Sequence, residues 1–268
     1  MKVSELVSKR RSVRSFTKEP LSSEDMKRIM DYAESIDNPY GIAIWWQLLS
    51  ARKDKLTVPV ITGGDTYITG KMKALKHSEE AFGFSFEKLV LYAQSLGIGT
   101  TWIAGTMDRK SFEEAICLKE DEVMPCISPL GYPSEKMSFR EAMMRKGIKA
   151  DERMSFESLF FKERYGNPLT APDNELKELL ELVRLAPSAV NKQPWRVIVK
   201  DGFVHFYEKK DKGYAKDNGW DVQKIDMGIA LAHFALGLEE KEKDASLYLD
   251  DPQIEVEEGV SYIASFRY

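Results

Sequence analysis

The chain has little of several things that would each narrow its chemistry. Among its 268 residues there are only two cysteines, Cys117 and Cys126, and three histidines. Two cysteines provide neither a disulfide framework nor a metal-ligand spacing, which implies a reducing, cytoplasmic setting. No apolar run approaches the ~20 residues that cross a bilayer. The basic N-terminal residues are accompanied by Glu5 and followed by no apolar leader core, so no targeting segment and no membrane partner are expected. A net charge of −4, mixed in sign, provides no field that would attract nucleic acid. No Ser/His/Asp set, no pair of catalytic carboxylates and no metal-ligand cluster can be read from the spacing. No catalytic side chain and no metal are therefore assigned.

What is present is a globular composition, 43% apolar and 11% aromatic, and a pattern written twice. A basic cluster, Lys9-Arg10-Arg11-Ser12-Val13-Arg14, precedes a helix with Met26, Ile29, Met30 and Ala33 on one face. The same spacing returns 150 residues later as Leu176, Leu179, Leu180 and Val183. The basic cluster does not return, because 160–162 read Phe-Phe-Lys. The second copy instead runs into a polar turn, Pro187-Ser188-Ala189-Val190-Asn191-Lys192-Gln193-Pro194-Trp195. Its counterpart at 37–45 reads DNPYGIAIW, with Asn38, Gly41 and Ala43 where the second copy has Ser188, Asn191 and Gln193. Each half keeps what the other lost, which implies one composite site. Two halves are expected, 1–155 and 156–268.

The element order expected in the first half begins with helices over 1–9 and 21–35 and a strand over 43–50. A buried helix over 82–96, a short strand over 100–103, a helix over 111–117 and a strand over 123–132 follow. Residues 53–78 carry no readable pattern. The second half is expected to hold a helix over 175–185 and a hairpin of 195–200 with 204–208 across Asp201-Gly202. A buried helix over 225–238 and a closing strand over 260–268 complete it. Leu236-Gly237 would end the second buried helix as Leu96-Gly97 ends the first. Helices and strands alternate without a strict βαβ rhythm, so the fold class is α+β.

Four stretches, KRRSVRSF at 9–16, LGIGTTWIAG at 96–105, LGYP at 130–133 and LAPSAVNKQPW at 185–195, together resemble the nitroreductase family of FMN-dependent oxidoreductases. The chain looks most like a branch in which two family units are fused. The resemblance implies a nitroreductase-like fold whose two degenerate halves form an intrachain pseudo-dimer, a monomer in solution holding one FMN. It places Arg10, Arg11, Ser12 and Arg14 at the phosphate, with Arg153 as a later phosphate-binding basic residue. Backbone near Ala104 and Gly105 would face N5 of the ring, and Pro187, Ser188, Ala189, Asn191 and Gln193 would meet or wall its pyrimidine edge. The mirror-related site, with Phe160 and Phe161, should be dead. Many members carry an acidic residue where this chain has Ala104, so a side-chain role there is lost.

The implied reaction is hydride transfer from NAD(P)H to FMN, followed by reduction of a nitroaromatic, a quinone or another small-molecule acceptor in ping-pong order. The competing reading is an FMN carrier or sensor with little turnover. Taken singly, the basic cluster reads as a solvated surface and the LGIG glycines as a helix stop. Trp45, Trp46, Trp102 and Trp195 read as core, His233 as a packed core residue, and His77 and His205 as surface.

Overall fold

The computed structural model describes residues 2–211 and 220–268. In chain order the elements are α1 (Val3–Lys9), α2 (Ser23–Ser35), β1 (Trp45–Ser50), β2 (Thr66–Lys73), α3 (Ser78–Ser95), α4 (Arg109–Ala115), β3 (Glu122–Val123), β4 (Ile127–Leu130) and α5 (Phe139–Gly147). They continue as α6 (Phe156–Leu159), β5 (Phe160–Lys162), α7 (Asn174–Leu185), β6 (Trp195–Lys200), β7 (Phe203–Lys209), α8 (Val222–Glu240), β8 (Leu247–Tyr248) and β9 (Val260–Arg267). Met1, the start of the first expected helix, lies outside the described residues. The chain divides into two compact units, Lys9–Ala150 and Met1–Ser8 with Asp151–Tyr268.

In the Lys9–Ala150 unit, β2 is the central strand, antiparallel to β1 on one edge and to β4 and then β3 on the other. Helix α2 starts because Ser22 caps it, accepting from the Asp25 amide, with Glu24 and Asp25 complementing the positive helix end. It buries Ile29 and Ala33. Helix α3 is buried on nearly every side and packs Phe82 and Phe86 against Trp46, with tilted rings, and against Trp102, edge to face. A separate cluster fills the far side of the sheet around Tyr67, Phe112 and Ile127.

In the other unit the sheet order is β5-β6-β7-β9-β8, with β5 parallel to β6 and every other pair antiparallel. Asp173 caps α7 by accepting from the Leu176 amide. Helix α8 packs against one sheet face through Phe206, Phe234 and Phe266, whose mutual ring distances are 5.2–5.9 Å. Each fully buried ring of this kind contributes about 1.5–3 kcal/mol of transfer free energy. The opposite face carries Phe161, Ile198, Tyr207 and Val260 beneath Ile254 and Val256.

Both units follow one order: a capped amphipathic helix, an antiparallel strand pair, a long buried helix, and a strand antiparallel to the second member of the pair. Strands β1 and β6 are both six residues long and begin at Trp45 and Trp195. The connections inside the pairs differ, 51–65 against 201–202.

The structure corrects several expectations. Residues 53–78 contain β2, whose Thr, Gly and Lys residues hid the central strand of the sheet. The 100–103 stretch is not a strand; Thr100 and Ile103 make isolated bridges to Ser12 and Ile127. The expected 123–132 strand is broken by Met124-Pro125-Cys126 into β3 and β4, because proline cannot donate to a ladder. Gly237 lies inside α8, not at its end. A Cβ there would come within 2.6 Å of Leu179 and 2.7 Å of Leu182, so this glycine lets α7 and α8 approach.

The matching helix stops are Gly97 (φ +75°) and Glu242 (φ +55°). Each is followed by the same closing bond, from the Ile98 amide to the Ala93 carbonyl and from the Lys243 amide to the Leu238 carbonyl, both 3.0 Å. Trp45 is exposed, and His205 is buried with Nδ1 2.7 Å from Ser265 Oγ. Trp195 and His233 are core, the latter with Nδ1 2.8 Å from the Leu182 carbonyl.

Candidate anion cradle and polar turn

Residues 12–16 run extended because neighbouring backbone takes up their peptide groups. The Val13 amide donates to the Thr100 carbonyl, the Thr62 amide to the Arg14 carbonyl and the Phe16 amide to the Thr62 carbonyl, each at 2.8 Å. Val13 and Phe16 are buried beneath this ribbon. Ser12 forms a bridge with Thr100, so its backbone position is set by the loop that leads to Ala104 and Gly105.

The arginines of this segment are held among charges. Arg10 lies with Nε 4.0 Å from Glu87 Oε1, and the other Glu87 oxygen accepts from Trp102 Nε1 at 3.0 Å. Burial pulls the Arg10 guanidinium below its ordinary pKa; Glu87 opposes that shift and Arg145 adds to it. Arg14 is lowered in the same way, by burial first, with Glu141 opposing and Arg145 reinforcing. Arg11 points toward Glu141, Nη1 to Oε1 3.8 Å, and is more exposed.

Arg10 Nε and Arg14 Nε and Nη1 are buried and have no hydrogen-bond acceptor among the described residues. Buried charged donors without acceptors are costly, of order 1–3 kcal/mol or more each. Such donors are retained where a ligand supplies the acceptors. Arg10, Arg11 and Arg14 share two carboxylates, Glu87 and Glu141, and Arg145 adds its field to the group. The surplus suits a doubly charged phosphate monoester, for which arginine has the matching fork geometry.

Sequence reasoning missed Glu141 and Arg145. Both lie on α5, one turn apart, so they share a face. Glu141 is buried and accepts from Ser15 Oγ at 2.8 Å, and its amide donates to the N-cap Ser138 at 3.2 Å. The Ser138-x-x-Glu141 capping pattern was the available signal.

In the same unit the Ala104 carbonyl accepts from Arg109 Nη2 at 2.7 Å, which anchors the loop. Gly105 is exposed, and a Cβ there would meet nothing within 4 Å, leaving its backbone open to a flat ligand.

The remaining expected site residues lie together in the other unit. Val190, Asn191 and Gln193 have φ of +50°, +59° and +51°. A β-branched residue in that region is strained by roughly 1–3 kcal/mol, a cost that concentrates at functional sites. Ser188 Oγ accepts from the Gln193 amide at 2.8 Å, and Gln193 Oε1 from the Met154 amide at 2.9 Å. Arg153 directs Nη1 to Asn191 Oδ1 at 3.3 Å and Nη2 to the Leu185 carbonyl at 3.2 Å. It thus clamps the turn. The Ala189 amide donates to Asp226, and Pro187 leads the chain from α7 into the turn. Phe160 and Phe161, at the positions matching Arg10 and Arg11, are buried in β5 and offer an anion nothing.

Among the described residues no group of three or more His, Cys, Asp or Glu could hold a metal ion, and no helix is long and apolar enough to cross a membrane.

Residues 2–238 match the family model described as "Putative TM nitroreductase". The chain belongs to that nitroreductase family. A crystal structure described as a "putative nitroreductase" from Thermotoga maritima is similar over 91% of this chain and 87% of its own, with 23% identity and a TM-score of 0.60. An FMN-dependent nitroreductase from Clostridium difficile covers 50% of this chain and 88% of its own, with 18% identity and a TM-score of 0.43. An iodotyrosine deiodinase bound to FMN and 3-iodo-L-tyrosine covers 51% and 92%, with 14% identity and a TM-score of 0.42. No curated protein matches the chain.

Proposed function

We propose that the protein is an FMN-dependent NAD(P)H oxidoreductase acting on nitroaromatics, quinones or a related small acceptor. The observation that carries this reading is the set of buried arginine N–H groups on Arg10 and Arg14 that lack acceptors. FMN held there would supply the redox chemistry between nicotinamide and acceptor. Arg10, Ser12 and Arg14 hold the phosphate, with Arg11 at its more exposed side. Ala104 and Gly105 present backbone to the ring, and Ala104 brings no acid or base of its own.

The assignment of the 187–193 turn to the pyrimidine edge of the same flavin rests on the sequence, in which each half retains the motif the other lost. The recurring element order is the support for reading the chain as a fused pair with a single FMN.

The test is the absorption spectrum of the purified protein together with binding of two flavins. Wild type is expected to be yellow, or to become so with FMN. Arg14→Ala is expected to weaken FMN about 10- to 100-fold while leaving riboflavin, which has no phosphate, nearly unchanged. A protein that stays colourless in excess FMN would overturn the reading. The carrier alternative draws on the absence of an acid or base at Ala104. Prompt anaerobic bleaching of the bound flavin by NADH or NADPH counts against it.

A further inference from the structure

We infer that Asp226 is the positioning residue of the 188–193 turn, fixing from α8 the backbone whose polar groups meet the flavin. This rests on the flavin reading above and adds a residue to it. Both Asp226 carboxyl oxygens lie near the Ala189 amide, at 2.9 and 3.1 Å. Among the described residues the carboxyl makes no other hydrogen bond, so its binding capacity is spent on this one peptide group. The peptide opens the segment in which Val190, Asn191 and Gln193 all have positive φ.

Other holds on the turn come from Ser188 within it, from residues 152–154, from Asp211, which pairs with Lys192, and from Arg196, which donates to the Gln193 carbonyl. Asp226 ties it to the buried helix. A turn strained at three places keeps its form only where the surroundings over-determine it, and removal of one tether releases it toward ordinary backbone geometry.

A packing role does not account for the residue. Its helix neighbours Ile225, Met227 and Ile229 are apolar core, and a carboxyl among them is disfavoured. Burial pushes its pKa well above the ordinary value; the Ala189 amide opposes that, while Asp221 and Glu208 add to it. These are the charged groups that face it, from the start of α8 and from β7. The carboxyl acts through the acceptor it presents to the Ala189 amide. Asparagine at 226 would present the same acceptor; leucine would fill the space and present none.

The experiment compares Asp226→Asn and Asp226→Leu in the full chain. FMN affinity is read by flavin fluorescence, and amide exchange of 188–193 by mass spectrometry on the flavin-free protein. The asparagine variant is expected to bind FMN within about threefold of wild type, and the leucine variant about tenfold or more weakly with faster exchange across the turn. Wild-type affinity and exchange in the leucine variant would overturn the inference. Equal loss in both variants would also overturn it, because charge rather than the acceptor would then matter. If leucine does not fold, Asp226→Ser gives the same comparison, its shorter side chain falling short of the amide. Failure of wild type itself to bind FMN would sink the flavin reading instead, which keeps the two outcomes apart.

Discussion

At the scale of single residues, the decisive property is burial of polar groups with incomplete partners. Arg10 and Arg14 were legible as an anion site because three cations and a hydroxyl stand within five positions. What surrounds them was not legible: Glu87, Glu141 and Arg145 come from far along the chain. His205 shows the same gap, since a histidine in a strand can face either way. Burial lowers its pKa below 6.5, and Lys200 acts in the same direction; the Lys200 backbone, Asp201 and Asp251 oppose. The folded imidazole therefore stays neutral where that of the unfolded chain takes up a proton. Its contribution to stability is intact above pH 6.5 and is lost as pH falls from there through the lowered folded value. Denaturant midpoints measured from pH 7.5 to 5 should fall more steeply for wild type than for His205→Gln. Parallel curves would refute a buried neutral His205.

At the scale of elements, the helices beside the strand pairs were read well because their signals are local, whereas α5 (Phe139–Gly147) went unread in a polar stretch. Ser22 and Asp173 cap α2 and α7, and the apolar spacing matches the buried faces. Strands were read well where a tight turn marked the pair, as at Asp201-Gly202, and poorly where the connection was long. The end of α8 was misplaced because a glycine can stop a helix or let two helices touch, and only Leu179 and Leu182 reveal which. The true stop puts Glu242 at φ +55°, where glycine is favoured. Glu242→Gly should stabilise the protein by roughly 0.5–1 kcal/mol, a rise of about 1–4 °C in Tm. Scanning calorimetry gives the answer, and an unchanged or lower Tm would contradict this account of the helix end.

At the scale of the whole molecule, the pseudo-dimer proposal commits to a stoichiometry. A chain that carries both family units, one with the basic cluster and the other with the polar turn, should hold one flavin and need no second copy. Light scattering after size exclusion is expected to give a monomer, and flavin released by denaturation about one equivalent per chain. A tight dimer, or two flavins per chain, would defeat the proposal, the latter because Phe160 and Phe161 would then have to serve an anion.

By itself the sequence determined whatever depends on neighbours within a few residues: capped helices, the short hairpin, the arginine cluster and the polar turn. Helical period and turn chemistry are local, so they survive without knowledge of the fold. The tertiary structure decided what depends on distant partners. It placed β2 at the centre of its sheet, brought Glu141 and Arg145 to the arginines, and set Asp226 beneath Ala189. Those pairings join residues tens to more than a hundred positions apart, and no local pattern records which of many possible partners a buried charge will meet.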